Sequence, residues 1–488
     1  MNNRFIFSWK TLQRTWSDWR GSDGLPGISP DLPEEERDTV TKLLNECVAA
    51  RHGAVTARQH AAGIGELYLT LNATGRRHFL EILADQFAVD QDQVREVSHR
   101  LAHSDDDETF RQQVLELREA LISPRQQLLQ QFNALPQGVK FLIDMRAELL
   151  GFLHDSPNLK RLDYDLQQLL ATWFDVGFLR VKQLGWQSPA ALLEKLMAYE
   201  AVHAISSWRD MRHRLEWDRQ CYAFFHPVLP GEPLIFIEVA LVKGLASSIQ
   251  SLLDDQREDV DPQQADTAIF YSISNAQTGL KGISFGPFLI KKVVDSLSHS
   301  RPNLKTFSTL SPIPGFRRWL EKRLADNGSQ HDKDSFATVL AEAAQLLDVE
   351  PTLAHVIDDP RWTENPEVCD LLKEPLLTLC ARYLHERRAR DSAPLDPVAR
   401  FHLGNGAHIE QLNWLGDVSS KGMRESCGLM INYLYALDDI KNNIEAYSQE
   451  KQIAAAPRIR KLLNEQEAKQ GPLSGLRRWG NRKGKGSS

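Results

Sequence analysis

The chain has 488 residues, of which 42% are apolar and 25% charged, the balance of an ordinary globular protein with room for about two to four domains. A net charge of −7 excludes the strongly basic surface of a dedicated nucleic-acid binder. The longest apolar run, Leu234 to Val242, contains Glu238 and stops well short of the roughly 20 residues of a membrane span, so neither nucleic acid nor a membrane is an expected partner.

The chain opens on MNNRFIFSWKTLQRTWSDWR, where Arg4, Lys10, Arg14 and Arg20 face only Asp18. An amphipathic targeting segment, a first helix packing its aromatic residues and a flexible arm all fit, and residues 1–30 are read as the arm because no cleavage region follows. After a Pro/Gly-rich stretch, Asp31, Pro33 and the acidic Glu34 to Glu36 mark a helix start. Helical stripes then recur near 33–51, 54–72, 75–88, 91–103, 107–121, 124–135, 137–153 and 159–175. Residues 31–176 therefore read as an all-helical bundle, expected to assemble the protein into an oligomer. Asp105 to Glu108 are taken as an acidic helix start rather than a metal cluster, and His99 with His103 as a solvated face.

Near Val176 the period changes from helical to alternating. GFLRVKQLGW, CYAFFHPVLP and EPLIFIEVALV are strand-like, with helical segments such as Pro189 to Met211 between them. Thr267 to Ile273 is a buried strand that empties into a turn carrying Gly279, Gly282 and Gly286, followed by a helix. That arrangement makes an anion site. A second strand, Leu304 to Leu310, delivers Ser311, and Pro312 and Pro314 are expected to end strand pairing there. Helices follow near 334–347 and 367–390, the latter closing on a basic run. Asp396-Pro397 opens a short turn to His402, and HIEQLNWLGD and GLMINYLYAL are the last strands. The five cysteines include no CxxC pair, which predicts reduced thiols, no disulfides and no metal centre. Residues 177–465 read as one α/β domain and 466–488 as a basic disordered tail.

FYSIS (Phe270 to Ser274), the Gly279 to Gly286 turn, LSPIPGF (Leu310 to Phe316), FHLGNGA (Phe401 to Ala407) and SCGLMINYLYAL (Ser426 to Leu437) resemble the malonyl-CoA decarboxylase family. The resemblance covers most of Phe225 to Leu437, and more loosely the helices before it. It implies a catalytic domain related to the GNAT acetyltransferases, giving an α+β chain with a helical bundle in front. It also implies conversion of malonyl-CoA to acetyl-CoA and CO2, in the cytoplasm or, in a eukaryotic host, the mitochondrial matrix. The thioester is its own electron sink, so no metal or organic cofactor is expected. Ser311 and His402 match the family's catalytic pair, His402 as proton donor. Lys281, Gly282, Ile283, Ser284, Phe285, Gly286 and Pro287 are expected to cradle the CoA phosphates. Ser284 holds a position where relatives can carry a glutamate, which puts an acid–base role there in doubt. Ser272 is a secondary candidate, His226 reads as a turn residue, and Asn405 and Asn413 are candidates for fixing the His402 tautomer. The resemblance further implies a homotetramer or dimer. A CoA-dependent N-acyltransferase and a non-enzymatic assembly protein are the competing readings.

Overall fold

The structure, a computed structural model, describes residues 12–17, 27–50, 54–104, 106–254, 261, 263–283, 288–325 and 330–469. Helices occupy Glu34–Ala49, Ala54–Thr70, Ala73–Gln86, Gln91–Ala102, Asp107–Ala120, Pro124–Gln131, Gly138–Phe152 and Leu159–Trp173. Their starts follow from local chemistry. Asp106 accepts the backbone N–H groups of Glu108 and Thr109, so the acidic run is a cap. Ser123 and Gln126 form a capping box ahead of Pro124. Asp31 does not cap: the first of these helices begins after Pro33, with no side-chain cap. Part of the segment read as an arm is docked. Residues 12–17 are helical, and the buried Trp16 packs on Phe132 and Phe141 and donates its indole N–H to Pro136 O.

The remainder is built on a mixed sheet of eight strands: β1 (Arg180–Leu184), β2 (Arg219–Phe225), β3 (Pro233–Val242), β4 (Thr267–Asn275), β5 (Thr306–Thr309), β6 (Ser311–Pro312), β7 (His408–Asn413) and β8 (Met430–Leu434). The order is β1-β2-β3-β4-β5-β8-β6, with β7 added to β8. β1 to β4 run antiparallel, and the buried residues of β2 to β4 are nearly continuous, as strands covered on both faces require, whereas the edge strand β1 is mostly exposed. β4 and β5 are parallel, joined through the helix Phe288–Ser300.

That parallel pairing is short. Only Thr267 to Phe270 of β4 pair with Thr306 to Thr309 of β5. Opposite Tyr271 the β3–β4 register slips, so one residue of β4 bulges. Beyond that point β5 turns from β4 to β8, and Ser311 and Pro312 pair with Ile431 and Met430. The prolines thus accompany a change of partner rather than an end to pairing. The second half of β4 and the new strand β6 part company, and a cleft opens between them. Asp396-Pro397 is not a short turn but the start of a helix, Pro397–Gly404, that closes one side of this cleft.

A candidate active site between splayed strands

The cleft is a cavity of about 570 Å³ lined mainly by apolar side chains, among them Phe270, Ile273, Ile283, Leu289, Pro312 and Phe401. Ser311 and His402 both face it. Ser311 comes from the first residue of β6. His402 comes from the last turn of the helix Pro397–Gly404, whose first turn is capped by the buried Asp396 through the Ala399 N–H at 2.7 Å. Gly406, at φ +86°, ends that helix, and Ala407 N–H returns to His402 O at 3.1 Å. A Cβ at Gly406 would fall 2.6 Å from Ile440 O, so the FHLGNGA motif is a helix terminus that only glycine can make here.

The two side chains meet. Ser311 Oγ lies 3.2 Å from His402 Nε2, and His402 Nδ1 lies 2.7 Å from the Tyr435 hydroxyl. Ser311 donates its own hydroxyl to Thr309 Oγ1 at 2.9 Å, so its oxygen is left to accept the Nε2–H. Nδ1 is then the acceptor of the Tyr435 O–H. Thr309 Oγ1 is in turn fixed by the Tyr433 N–H at 3.1 Å, and the Tyr433 ring stacks on the imidazole with centroids 4.5 Å apart. Among the described residues no carboxylate is hydrogen-bonded to the ring. His402 is 3% exposed, and burial pushes its pKa down to about 3. The imidazole of the free protein is therefore neutral.

Asn405 and Asn413 do not fix the tautomer. Asn405 Nδ2 donates to Phe401 O, and Asn413 bonds to Asn432, which holds the end of β5 through Thr309 O at 2.6 Å. Ser272 is likewise elsewhere. Its hydroxyl is committed to the Glu200 carboxylate at 2.8 and 2.9 Å, away from the cavity. His226 accepts the Val228 N–H and packs beside Phe174 and Phe178, as a turn residue should. Tyr435 is the residue that inspection of the sequence passed over. It alternates with Tyr433 in NYLYAL, a period-2 signal that places both on one face of a strand.

The glycine turn differs most from its expected form. Ser284, Phe285, Gly286 and Pro287 lie outside the described residues. In the described part the amides of Leu280, Lys281 and Ile283 are already bonded to Gln277, Thr278 and Leu280 carbonyls. The carbonyls are held from the helical region. Arg146, 2% exposed, donates Nη1 to Gly279 O at 2.6 Å and to Lys281 O at 2.9 Å, with Nε on Asp163. Gln167 donates to Gly282 O at 2.9 Å. A Cβ at Gly279 would sit 1.8 Å from Ile143 O, and one at Gly282, where φ is +83°, 2.7 Å from Gln167 Nε2. These glycines are required by the packing of the helical region onto the turn. Lys281 is exposed, and of the three described candidates only Ile283 reaches the cavity.

Two family descriptions match the chain in succession: the malonyl-CoA decarboxylase N-terminal domain over residues 87–174, and the malonyl-CoA decarboxylase C-terminal domain over residues 177–472. The chain belongs to the malonyl-CoA decarboxylase family. It is 34% identical over 477 residues to the mitochondrial malonyl-CoA decarboxylase of Anser anser anser, covering 94% of each chain. With the mitochondrial enzyme of Rattus norvegicus it shares 36% identity over 412 residues, 80% of this chain and 82% of that one. Among solved structures, malonyl-CoA decarboxylase from Rhodopseudomonas palustris superposes with a TM-score of 0.80 at 41% identity, over 87% of this chain and 99% of that one. The enzyme from Agrobacterium vitis gives 0.76 at 40% identity, over 87% and 99%. LSPIPGF and FHLGNGA, two of the motifs that carried the resemblance, line this one cavity, and NYLYAL backs it through Tyr435 on His402.

Proposed function

We propose that this protein decarboxylates malonyl-CoA to acetyl-CoA and CO2, with Ser311 and His402 as the catalytic pair and Tyr435 positioning the imidazole. The observation that carries the reading is a neutral, buried Ser311–His402 pair facing an apolar cavity. An apolar cavity favours loss of CO2, because the localised charge of the carboxylate becomes the dispersed charge of an enolate. The C–C bond to the carboxylate breaks and its electron pair moves into the thioester. The enolate carbon then needs one proton.

His402 supplies it in this scheme. A malonyl carboxylate entering beside a neutral imidazole in low dielectric raises the proton affinity of that imidazole, so binding brings one proton in from solvent. Tyr435 turns from donor to acceptor at Nδ1, and the Nε2–H faces the substrate. After CO2 departs, the proton passes from Nε2 to the enolate carbon and His402 returns to its neutral form. The proton balance closes, since decarboxylation of the carboxylate form consumes one proton. Ser311 turns its one hydroxyl proton from Thr309 Oγ1 toward the charge developing on the thioester oxygen. The thioester supplies the electron sink, so the scheme uses no metal or organic cofactor.

The relation to the GNAT acetyltransferases draws support from the β1–β4 antiparallel run and from the parallel β4–β5 pair about the helix Phe288–Ser300. The helices up to residue 176 form an assembly domain in this reading, with an even-numbered homo-oligomer as the expected state, acting in the cytoplasm or, in a eukaryotic host, the mitochondrial matrix. Among the described residues no helix is long and apolar enough to cross a membrane. Incubating the purified protein with malonyl-CoA alone, and following acetyl-CoA and CO2 together, tests the activity. Equimolar release of both without added amine is the expected result. A strict amine requirement, or CoA binding without CO2 release, would overturn it.

A further inference from the structure

Ser311 Oγ and His402 Nε2, 3.2 Å apart, stand at the spacing of a hydrolytic dyad. A serine so placed becomes a nucleophile when an imidazole nitrogen accepts its proton. Here the protons run the other way. Ser311 donates to Thr309 Oγ1 at 2.9 Å and accepts from Nε2–H. Thr309 is wholly buried, and its Oγ1 is held in place by the Tyr433 N–H at 3.1 Å.

The opposite side of the ring fixes that direction. Burial keeps the imidazole neutral, so it carries one N–H proton and must choose a nitrogen. The Tyr435 hydroxyl is buried, and Nδ1, at 2.7 Å, is its one hydrogen-bond partner among the described residues. Burial also pushes the phenol pKa up, so the hydroxyl keeps its proton. A buried O–H without an acceptor is costly, so Tyr435 donates to Nδ1 and confines the ring proton to Nε2. The phenol is anchored in that position. Tyr435 N–H donates to Phe307 O at 2.8 Å, and its ring meets Phe270 edge-on with centroids 6.4 Å apart.

We propose that Tyr435 and Thr309 select the reaction: they hold the pair in the tautomer that cannot activate Ser311, and so commit the site to decarboxylation over hydrolysis of the same thioester. The proposal rests on the substrate reading given above, which supplies the thioester. In the excluded reaction Ser311 Oγ would bond to the thioester carbonyl carbon as its proton passed to Nε2. The C–S bond would break, the sulfur would leave with that proton, and water would cleave the Ser311 ester to a carboxylic acid and the free hydroxyl. The first step needs a lone pair on Nε2, which the Tyr435 hydrogen bond denies. Decarboxylation needs the reverse, a proton on Nε2. A dyad held in the wrong tautomer loses on the order of 10⁴ in acyl transfer.

Acetyl-CoA, which has no carboxylate to lose, isolates the hydrolytic reaction. Tyr435→Phe leaves Nδ1 without a partner in either tautomer, so Ser311 O–H can turn to Nε2. That variant should release CoA and acetate roughly 10- to 100-fold faster than the wild type, the factor one buried hydrogen bond is worth. With malonyl-CoA it should release less CO2 while free malonate appears. A fall in CO2 with no gain in hydrolysis would give Tyr435 a merely structural role and overturn the proposal. Adding Ser311→Ala to Tyr435→Phe should abolish the gain, and a gain that survives overturns the proposal too. Thr309→Val removes the acceptor of the Ser311 proton at nearly the same shape. It should shift the balance the same way, and serves if Tyr435→Phe does not fold. The tautomer itself is read without turnover, by nitrogen NMR of wild-type protein carrying isotope-labelled histidine. The His402 signals, assigned by their loss in His402→Asn, should place the proton on Nε2, and a proton on Nδ1 overturns the proposal. Absence of CO2 release by the wild type would sink the decarboxylase reading, leaving the spectrum and the acetyl-CoA assay to decide on Tyr435 and Thr309.

Discussion

The buried, neutral state of His402 has a measurable consequence for stability. Its pKa falls from 6.5 to about 3 on folding because the imidazole leaves water for a wall of aromatic rings. A histidine with a depressed folded pKa binds fewer protons folded than unfolded between those two values. Stability is therefore lost as pH drops below about 6.5, and the loss continues down to the folded pKa. From pH 7 to pH 5 the contribution of this one residue is about 2 kcal/mol, since each pH unit below the unfolded pKa costs roughly 1.4 kcal/mol. Replacing His402 by Asn removes the titrating group and keeps a polar side chain. Urea unfolding of both proteins at pH 7 and pH 5 should show the wild type losing about 2 kcal/mol more than His402→Asn over that interval. The difference between the two slopes isolates His402 from the other titrating groups, which both proteins share. Equal losses would mean that folding leaves the His402 pKa near its unfolded value, and the proton-uptake scheme would fall with it.

His402→Asn should also cut turnover by on the order of 10²–10⁴, and Ser311→Ala by about 10²–10³. If the pair acts on one step, the double variant will lose far less than the product of the two, measured as kcat for CO2 release. Gly279→Ala should destabilise by about 3 kcal/mol or more, because its Cβ must displace Ile143 O. Gly151→Ala, a helical position with open space around it, is the control and should gain about 0.5–1 kcal/mol. A midpoint of denaturation unchanged by Gly279→Ala would refute the packing of the helical region on the turn. A fragment starting at Val176 should show a lower oligomeric mass by light scattering and a raised KM for malonyl-CoA, and retention of the full oligomer would remove the assembly role.

Much of this was legible in the sequence, for reasons that can be named. The helices before residue 174 announce themselves by 3.6-residue stripes and by local caps such as Ser123-Pro124, both short-range signals. Ser311 and His402 stood out through their motifs, and the structure brings them to 3.2 Å. What connects them was not local. Tyr435 reaches His402 because β8 pairs with β5 through Ser308 and Leu434, a contact across 126 positions that no window of sequence contains. The neutrality of His402 likewise follows from burial in the folded chain, where the Tyr433 ring from a distant strand stacks on the imidazole beside the neighbouring Phe401.

Arg146 shows how a signal can be present and still be misread. It stands four residues after Leu142 and three before Leu149, on the buried face of its helix, where a charge is costly unless it is paired. A cation on an apolar stripe therefore predicts a specific partner. That partner is the backbone of the glycine turn, and Leu280 beside it is buried in the same apolar core as Val139, Ile143 and Leu170 of the helical region. Ile283 and Leu289, at the two ends of the turn and its helix, line the Ser311–His402 cavity. The helices before residue 176 thus fix one wall of the cavity while the sheet supplies the reacting groups. Arg146 and Gln167 hold the carbonyls of Gly279, Lys281 and Gly282, immediately before Ile283, so they position the segment that carries it to the cavity. If the proposed assembly through the helical region holds, assembly and affinity for the thioester are coupled quantities, because the same helices pack on the turn that bears Ile283.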